Sequence, residues 1–293
     1  MNSNLQVPFP PDPNPRPPRF RTPAGTCDTH FHIMGPPEKF PWASTRLYTP
    51  PAAPVEHYLS MAKIVGIERG VVVVPAVHGF DNSSMHDAIA KADGRLKGMV
   101  RGNRKSTAAD NKALHAQGVR GIRFNMRPAL NGKFDADELL GTVAAIRDLP
   151  WCVCLHIDAH DLVNNADLIA RLDMPTIIDH FGQADPNKGV DGPEFKVIMD
   201  LMGNKNIWMK ISGADRQLAV GIKLEQMVPM ARAFIAKAPD RIIWGTDWPH
   251  AYLYEAGKQV NDGDLLNWVA EYAPDEATRK KILVDNPARL FGF

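Results

Sequence analysis

The chain has few cysteines, almost no net charge and no long apolar run. Its three cysteines, Cys27, Cys152 and Cys154, cannot form an even disulfide framework, and all lie in apolar, strand-like runs. We therefore expect a reducing, cytoplasmic environment. Nowhere do eighteen apolar residues follow one another, and the opening stretch has no apolar signal core, so neither membrane spanning nor secretion is expected.

The charge balance argues against a general affinity for polyanions. The 34 basic residues face 33 acidic ones, which leaves a formal net charge of +1 at pH 7. Nucleic acid and anionic membranes are not expected as partners, because no global field would attract them. An anion must instead be bound by local groups. With 293 residues, of which 44% are hydrophobic, the chain can bury one large core.

Proline is concentrated near the start of the chain. Eight of the 25 prolines fall within residues 8–23, where missing backbone donors and a fixed φ favour an extended polyproline conformation. We predict an N-terminal arm over residues 1–22 that lies on the surface. A ligand for a proline-recognition domain is the alternative interpretation. Residues 23–293 are predicted to form a single catalytic domain.

After the arm, short apolar β-branched runs alternate with helix-length segments. Continuous apolar runs between helices are typical of parallel strands covered on both faces, and eight of them close a (β/α)8 barrel. The predicted fold class is therefore α/β, a TIM barrel. The predicted strands are 26–33, 70–75, 96–102, 119–125, 151–157, 175–181, 206–212 and 241–247. The segment 34–54 is predicted to lie over the barrel mouth as a partial lid.

The carboxyl ends of these strands carry side chains suited to hold a metal or to move a proton. His30 and His32 are two residues apart, so a strand points both imidazoles to one face. TIM-barrel enzymes keep their active sites at this end of the strands. Each histidine taken alone is better explained as a core residue that is hydrogen-bonded to its neighbours. Packing does not explain why so many histidines cluster at the strand ends. The histidines at or near predicted strand ends are His30, His32, His78, His156, His180 and His250.

A His-x-His pair on the first strand and an aspartate after the last one predict a site for one divalent cation. Two imidazoles and the carboxylate of Asp247 are ligands of the zinc type. His156 is predicted to complete the set, and His180 is the less favoured completion. Cys152 and Cys154 are interpreted as small buried hydrophobes rather than as a Cys-x-Cys metal site, because a second cysteine pair is missing.

Asp247 stands in the run Gly245-Thr246-Asp247-Trp248-Pro249-His250, where an aromatic residue and a proline turn the chain sharply. An apolar surround would raise the pKa of this carboxyl towards the range useful to a general base. Capping of the next helix is the alternative role, and the two are compatible.

Basic and polar side chains near the strand ends are candidates for binding an oxyanion. Forked guanidinium groups match carboxylate and sulfonate geometry, although many arginines are simply solvated at the surface. The predicted substrate-binding residues are Tyr48, His78, Arg123, Arg127, Lys210, Arg216 and His250.

Four segments together resemble the amidohydrolase superfamily, and more narrowly its second branch, which contains lactonases, a lactone isomerase and a decarboxylase. The resemblance runs from about Pro23 to the end of the chain. The segments are Asp28-Thr29-His30-Phe31-His32, Gly121-Ile122-Arg123-Phe124-Asn125, Ile178-Asp179-His180-Phe181-Gly182 and Ile243-Trp244-Gly245-Thr246-Asp247-Trp248-Pro249-His250.

This resemblance implies a TIM-barrel enzyme that hydrolyses a small anionic lactone in the breakdown of aromatic compounds. It implies that Asp247 takes a proton from water and that His180 lies at the reacting centre. The imidazoles, or a metal that they hold, would polarise the lactone carbonyl, and the arginines would bind its acid groups.

Two positions depart from the pyrone dicarboxylate lactonases of that branch. His156 stands where those enzymes, which work without a tightly held metal, have a tyrosine. It thereby restores a ligand of the zinc-dependent relatives, so the resemblance implies a metal cofactor, and zinc is the ion that we predict. Gln183 stands where they have an arginine, which removes one anion contact. We therefore expect a lactone of another acid pattern, such as 4-sulfomuconolactone or a related muconolactone. Pyrone dicarboxylate hydrolysis, galactarolactone-type isomerisation, metal-dependent decarboxylation and non-enzymatic metal binding are the alternatives, and the oligomeric state stays open.

Overall fold

Eight parallel strands form the centre of the molecule, and each is hydrogen-bonded to the next in chain order. The computed structural model describes residues 5–251, 253–255 and 259–293, without the side chains of residues 218–220. The strands are β1 Cys27–Phe31, β2 Arg69–Val73, β3 Leu96–Arg101, β4 Val119–Asn125, β5 Cys152–His156, β6 Thr176–Ile178, β7 Ile207–Lys210 and β8 Ile242–Ile243.

All eight predicted strands are present, and the predicted TIM barrel is confirmed. Most strands are shorter than predicted, and β6 and β8 are shortened most, because there the chain leaves the sheet where the polar residues begin. After β6, His180 and Phe181 adopt positive φ values of 48° and 58°. After β8, Asp247 has a φ of 61°. A strand cannot continue through this left-handed backbone conformation, so both segments turn out of the barrel wall.

Hydrogen bonds between β1 and the segment that follows β8 close the ring. The backbone N–H of His32 donates to the carbonyl oxygen of Trp248 at 2.8 Å, and that of Asp247 donates to the carbonyl oxygen of His30 at 2.8 Å. The closing seam therefore holds candidate site residues from both ends of the barrel.

Helices cover the outside of the barrel in the connections between strands. Those in the described chain are α1 Val55–Val65, α2 Ser83–Ala90, α3 Ala108–Ala116, α4 Ala136–Ile146, α5 Ala159–Asn164, α6 Ala166–Ala170, α7 Pro193–Leu201, α8 Met227–Lys237, α9 Asp262–Tyr272, α10 Glu276–Lys280 and α11 Asn286–Phe291. The connection between β5 and β6 contains two short helices, α5 and α6, with Asn165 between them. None of the described helices is long and apolar enough to cross a membrane.

Two apolar layers hold the barrel together. The larger one fills the space between the strands and the helices. The smaller one fills the barrel interior, where Cys152 and Cys154 pack with Val71, Met99 and Ile177. All three cysteines are buried and free. Cys152 and Cys154 thus pack as small hydrophobes, as predicted, and contribute to a close-packed interior.

The N-terminal arm runs along α9 towards the barrel mouth. The backbone N–H groups of Arg16 and Arg19 donate to the side-chain oxygens of Asn261 at 3.1 Å and Asn267 at 2.7 Å. A Cβ atom at Gly263 would lie 1.9 Å from the carbonyl oxygen of Arg16, so only glycine permits this close approach. The arm is therefore fixed to the barrel rather than projecting from it.

Candidate active site

A cavity of about 280 Å³ opens at the carboxyl ends of the strands. The strands and the residues just after them supply its most polar part, which contains His32, Arg123, His156, Arg216 and Asp247. The other described residues that line it are Gln6, Leu47, Tyr48, Pro75, Ala76, Asn125, Ala129, Leu130, Ala251 and Tyr254. The predicted lid segment 34–54 thus contributes Leu47 and Tyr48 to this cavity.

Three atoms of the type that binds metal converge at the inner end of the cavity. His30 Nε2 and His32 Nε2 lie 3.3 Å apart, and each lies 3.5 Å from Asp247 Oδ1. Ligands about 2.1 Å from a tetrahedral zinc ion are separated from one another by about 3.4 Å. The three separations therefore fit one face of a tetrahedral metal site.

The position of the proton on His32 is compatible with this site. His32 Nδ1 lies 2.7 Å from the carbonyl oxygen of Val73, which can only accept, so the ring donates there and keeps a lone pair on Nε2. His30 Nδ1 lies 3.4 Å from Asp179 Oδ1 and 3.0 Å from Lys210 Nζ. Burial and the nearby Lys210 ammonium lower the pKa of His30 well below its usual value, so the ring is neutral, as a metal ligand must be.

His156 and His180 lie beside these three residues. Both ring nitrogens of His156 are buried without a hydrogen-bond partner in the described part of the chain. Buried polar atoms almost always have a partner, and a metal ion would supply one. The rings of His156 and His180 lie 5.2 Å apart. His30, His180 and Asp247 also offer one potential ligand atom each, all within 4.8 Å of one another.

Asp247 lies in an ion pair rather than in an apolar surround. Arg216 Nε donates to Asp247 Oδ2 at 2.7 Å, and a second guanidinium nitrogen donates to the same oxygen. Burial raises the pKa of Asp247, but the Arg216 charge and the smaller effects of the neighbouring histidines together outweigh it and hold that pKa well below its usual value. The expectation of a raised pKa is therefore wrong. Asp247 is ionised at neutral pH, and its Oδ1 is not hydrogen-bonded to any described residue.

Arg123 enters the cavity from β4 and is oriented by a buried carboxylate. Its Nε donates to Asp179 Oδ2 at 2.8 Å, while Lys210 Nζ lies 3.1 Å from Asp179 Oδ1. Asp179 is thus shared by two cations, which fixes the direction of the Arg123 guanidinium. A bidentate donor held in this way suits recognition of a carboxylate or a sulfonate.

His180 follows β6 and is the second predicted catalytic residue. Its Nδ1 lies 2.9 Å from Ser212 Oγ. Burial lowers the pKa of His180 to about 3, despite the opposing effect of Asp179. The imidazole is therefore neutral at physiological pH and is suited to hydrogen bonding rather than to carrying a charge.

Three predicted substrate-binding side chains are not among the described residues that line the cavity. Lys210 is fully buried beneath His30, with its Nζ 3.0 Å from His30 Nδ1. Arg127 points to Asp158, and the two form an ion pair at 2.5 Å. His78 accepts a hydrogen bond from the backbone N–H of Gly35 at 3.2 Å. Each of these side chains is instead held by a neighbouring group of the protein.

His250 is also placed away from the cavity, between two buried carboxylates. Its Nδ1 lies 3.2 Å from Asp215 Oδ2, and its Nε2 lies 3.2 Å from Asp262 Oδ1. Burial lowers the pKa of His250, but Asp262 and Asp215 outweigh it and raise that pKa to about 10. Its backbone N–H donates to the carbonyl oxygen of Asp247 at 3.0 Å. His250 therefore ties the turn after Asp247 to the start of α9, a positioning role instead of the predicted contact with substrate.

We expect His250→Asn to destabilise the fold by about 3 kcal/mol at pH 6, because it leaves two buried carboxylates without their shared cation. The folded-state pKa of about 10 lies above the unfolded value of about 6.5. The stabilisation is therefore complete below pH 6.5 and is lost as the pH rises towards 10. Urea unfolding at several pH values measures it. A difference from wild type that does not shrink with rising pH would contradict this account, and exposed His57→Asn is the control.

Gln6 and Tyr254 line the cavity without having been predicted. Nothing in the local sequence shows how far an extended arm reaches, so the sequence did not indicate that Gln6 lies at the cavity. Tyr254 is an aromatic residue shortly after the Asp247 run, and this position was the signal in the sequence that could have indicated a place near the site. Tyr48, in contrast, was predicted as a site residue and does lie in the cavity.

Sequence comparisons agree with this geometry. The sequence model of the amidohydrolase family matches residues 27–293. The 4-sulfomuconolactone hydrolases of Hydrogenophaga intermedia and Rhizobium radiobacter are 43% and 44% identical, over 94% and 98% of this chain and 91% and 98% of their own lengths. The 2-pyrone-4,6-dicarboxylate hydrolase of Comamonas testosteroni is 36% identical over 95% of this chain and 93% of its own length.

A solved structure extends the similarity to three dimensions. The crystal structure of an apo protein from Agrobacterium tumefaciens superimposes with a TM-score of 0.83 and 25% identity, covering 96% of this chain and 99% of that one. Together, the family match over most of the chain, the barrel and the strand-end histidines and aspartate identify the chain's family. The chain belongs to the amidohydrolase family.

Proposed function

We propose that this protein is a metal-assisted lactonase that hydrolyses 4-sulfomuconolactone or a closely related anionic muconolactone. The observation that carries the proposal is the ionised Asp247 beside His30 and His32, in a cavity that two arginines also line. The 43–44% identity to two hydrolases named for this lactone supports the choice of substrate.

The charge of the cavity suits a dianionic substrate. Arg123 and Arg216 each bring one positive charge, and Asp247 brings one negative charge. Among the histidines of the site, His30, His156 and His180 are neutral, because burial lowers the pKa of each. The surplus of positive charge can attract a sulfonate and a carboxylate, and a guanidinium matches both in geometry.

The proposed cofactor is zinc, held by His30, His32 and Asp247 with His156 as the further ligand. Imidazole nitrogens together with one carboxylate oxygen favour zinc over calcium or magnesium, which take oxygen ligands. When bound, zinc supplies Lewis-acid polarisation of the carbonyl and a lowered pKa of water. The spacing of three ligand atoms and the unpartnered nitrogens of His156 support this assignment.

The chain's own residues supply proton transfer and orientation. Arg216 holds Asp247 Oδ2 and thereby directs Oδ1 as the oxygen that accepts a proton from water. The water oxygen adds to the lactone carbonyl carbon, the ring carbon–oxygen bond then breaks, and the departing ring oxygen takes the proton from Asp247, which returns the carboxylate to its ionised form. The neutral His180 donates a hydrogen bond to the oxygen that gains charge. The new carboxylic acid ionises, so each turnover releases one proton at neutral pH.

The first experiment measures proton release in weak buffer with a panel of anionic lactones that includes 4-sulfomuconolactone and pyrone dicarboxylate. Release of one proton per ring opened, fastest with 4-sulfomuconolactone, is expected. No release across the panel would overturn the lactonase proposal. Carbon dioxide in its place would indicate a decarboxylase, and ring-oxygen migration without acid would indicate an isomerase.

We also propose a cytoplasmic location, which the three free, buried cysteines support.

We expect Arg123→Met to raise the KM for 4-sulfomuconolactone at least about tenfold, because it removes a charged hydrogen-bond donor from the anion site. The kcat should fall less, and the melting temperature should change by only a few degrees, since Lys210 still pairs with Asp179. Steady-state kinetics measure this effect. Arg127→Met is the matched control, because Arg127 pairs with Asp158 instead, and its KM should stay within about twofold of wild type. Equal KM changes in both variants would reject the anion role of Arg123.

A further inference from the structure

The first described residues of the chain cross the mouth of the cavity. The backbone N–H of Thr49 donates to the carbonyl oxygen of Gln6 at 3.0 Å, and Gln6 forms a parallel bridge with Tyr48. Three residues further on, the backbone N–H of Phe9 donates to the carbonyl oxygen of Leu253 at 2.8 Å. The arm therefore joins the segment of Tyr48 to the segment that follows the Asp247 turn.

The arm is tied to the same elements that hold the site. Asn261 Nδ2 donates to Asp12 Oδ2 at 2.9 Å and to the carbonyl oxygen of Asn14 at 3.1 Å. The next residue, Asp262, is one of the two carboxylates that hold His250. The prolines between residues 8 and 18 restrict the unfolded arm, so less conformational entropy is lost when it is fixed.

Gln6 adds a neutral side-chain amide to the part of the cavity wall that the arm forms. The arginines carry charge, and the exposed Leu47 and Tyr254 are largely apolar. A side-chain amide is neutral and both donates and accepts hydrogen bonds. It can contact a sulfonate or carboxylate oxygen at the mouth without adding charge, whereas a carboxylate in its place would repel the same group.

We propose that the N-terminal arm forms one wall of the substrate cavity and that Gln6 is a specificity-determining residue for the outer acid group of the lactone. This inference rests on the proposed lactonase function and deepens it. The arm acts on substrate through Gln6, and it positions Tyr48 and the segment of Tyr254 through its two backbone hydrogen bonds.

The decisive variant is Gln6→Glu, which keeps the size of the side chain and adds one negative charge. We expect the KM for 4-sulfomuconolactone to rise about fivefold at low salt, to recover as salt is added, and kcat to stay within about twofold. Gln117→Glu, exposed at the end of α3, changes the net charge equally and should leave KM unchanged. An unaltered KM for Gln6→Glu, or an equal rise in both variants, would overturn the proposal.

A second measurement tests the wall itself without using turnover. Amide hydrogen exchange should show protection at Thr49 and Phe9 in the wild-type protein, and Phe9→Pro should speed exchange at Thr49 more than Phe9→Ala does. Fast exchange at both amides in the wild-type protein would overturn the proposal that the arm forms a wall of the cavity. Failure of this inference can be told apart from failure of the proposed function. If the wild type is active and Gln6→Glu has the same KM, only the role of the arm is rejected. If the wild type is inactive on every lactone, the proposed function is rejected.

Discussion

Asp247→Asn is expected to lower kcat by about 10³-fold or more while leaving the barrel folded. The carboxylate is ionised, because the Arg216 ion pair and the neighbouring histidines together outweigh the effect of burial, and its Oδ1 has no hydrogen-bond partner among the described residues. Loss of a general base alone costs about 10²–10⁴-fold. Asparagine has nearly the same shape and tolerates the positive φ of 61° at this position, so the backbone should not change.

The assay for Asp247→Asn must separate the role of base from the role of metal ligand. We would measure kcat with zinc present in excess, and record zinc content and circular dichroism on the same samples. Full zinc occupancy with lost turnover assigns the base role to Asp247. More than a tenth of wild-type kcat would remove Asp247 from that role. Asp240→Asn is the control, because Asp240 is exposed and pairs with Lys281 on the outside of the barrel.

His32→Asn is expected to lower zinc affinity at least about 100-fold and to lower activity in proportion at limiting zinc. His32 Nε2 is one corner of the three-atom group, and its Nδ1 is fixed by the carbonyl oxygen of Val73. Losing even an indirect support of a metal ligand costs about 10–100-fold in affinity, so losing a ligand should cost no less. Zinc content after dialysis, measured by mass spectrometry, gives a readout independent of turnover.

The control for His32→Asn is His57→Asn, which makes the same chemical change at an exposed position of α1. We expect wild-type zinc content and kinetics for His57→Asn. If His32→Asn binds as much zinc as wild type, then His32 is not a ligand. In that case the grouping of His30, His180 and Asp247 becomes the better description of the metal site.

Much of the fold could be predicted because its signals are local. A buried parallel strand needs a short apolar, β-branched run, and all eight runs are visible in the sequence. The convergence of His30, His32 and Asp247 followed from topology, since the carboxyl ends of barrel strands meet at one face. Topology also explains why Tyr48, Arg123 and Arg216 could be placed near the site without knowledge of their contacts.

What the sequence did not reveal depends on contacts between irregular segments. The pKa of Asp247 was predicted with the wrong sign, because the position of Arg216 is set by the path of the chain after β7. His250 was interpreted as a substrate contact, since its partners Asp215 and Asp262 lie on separate segments. The reach of Gln6 into the cavity depends on where a polyproline arm docks, and such an arm has no internal hydrogen bonds to indicate it.

The closing seam of the barrel has a consequence for folding kinetics. His30 lies in β1 and His32 directly follows that strand, whereas Asp247 follows β8, so the proposed zinc site needs residues more than 200 positions apart. The hydrogen bonds of Thr246 to Asp28 span a similar separation. Contacts of such high sequence separation form late, because a long loop must close before they are made. A partly folded chain that lacks the final strand therefore has no complete zinc site. Zinc uptake during refolding should report the moment at which the ring closes, later than the appearance of helical structure.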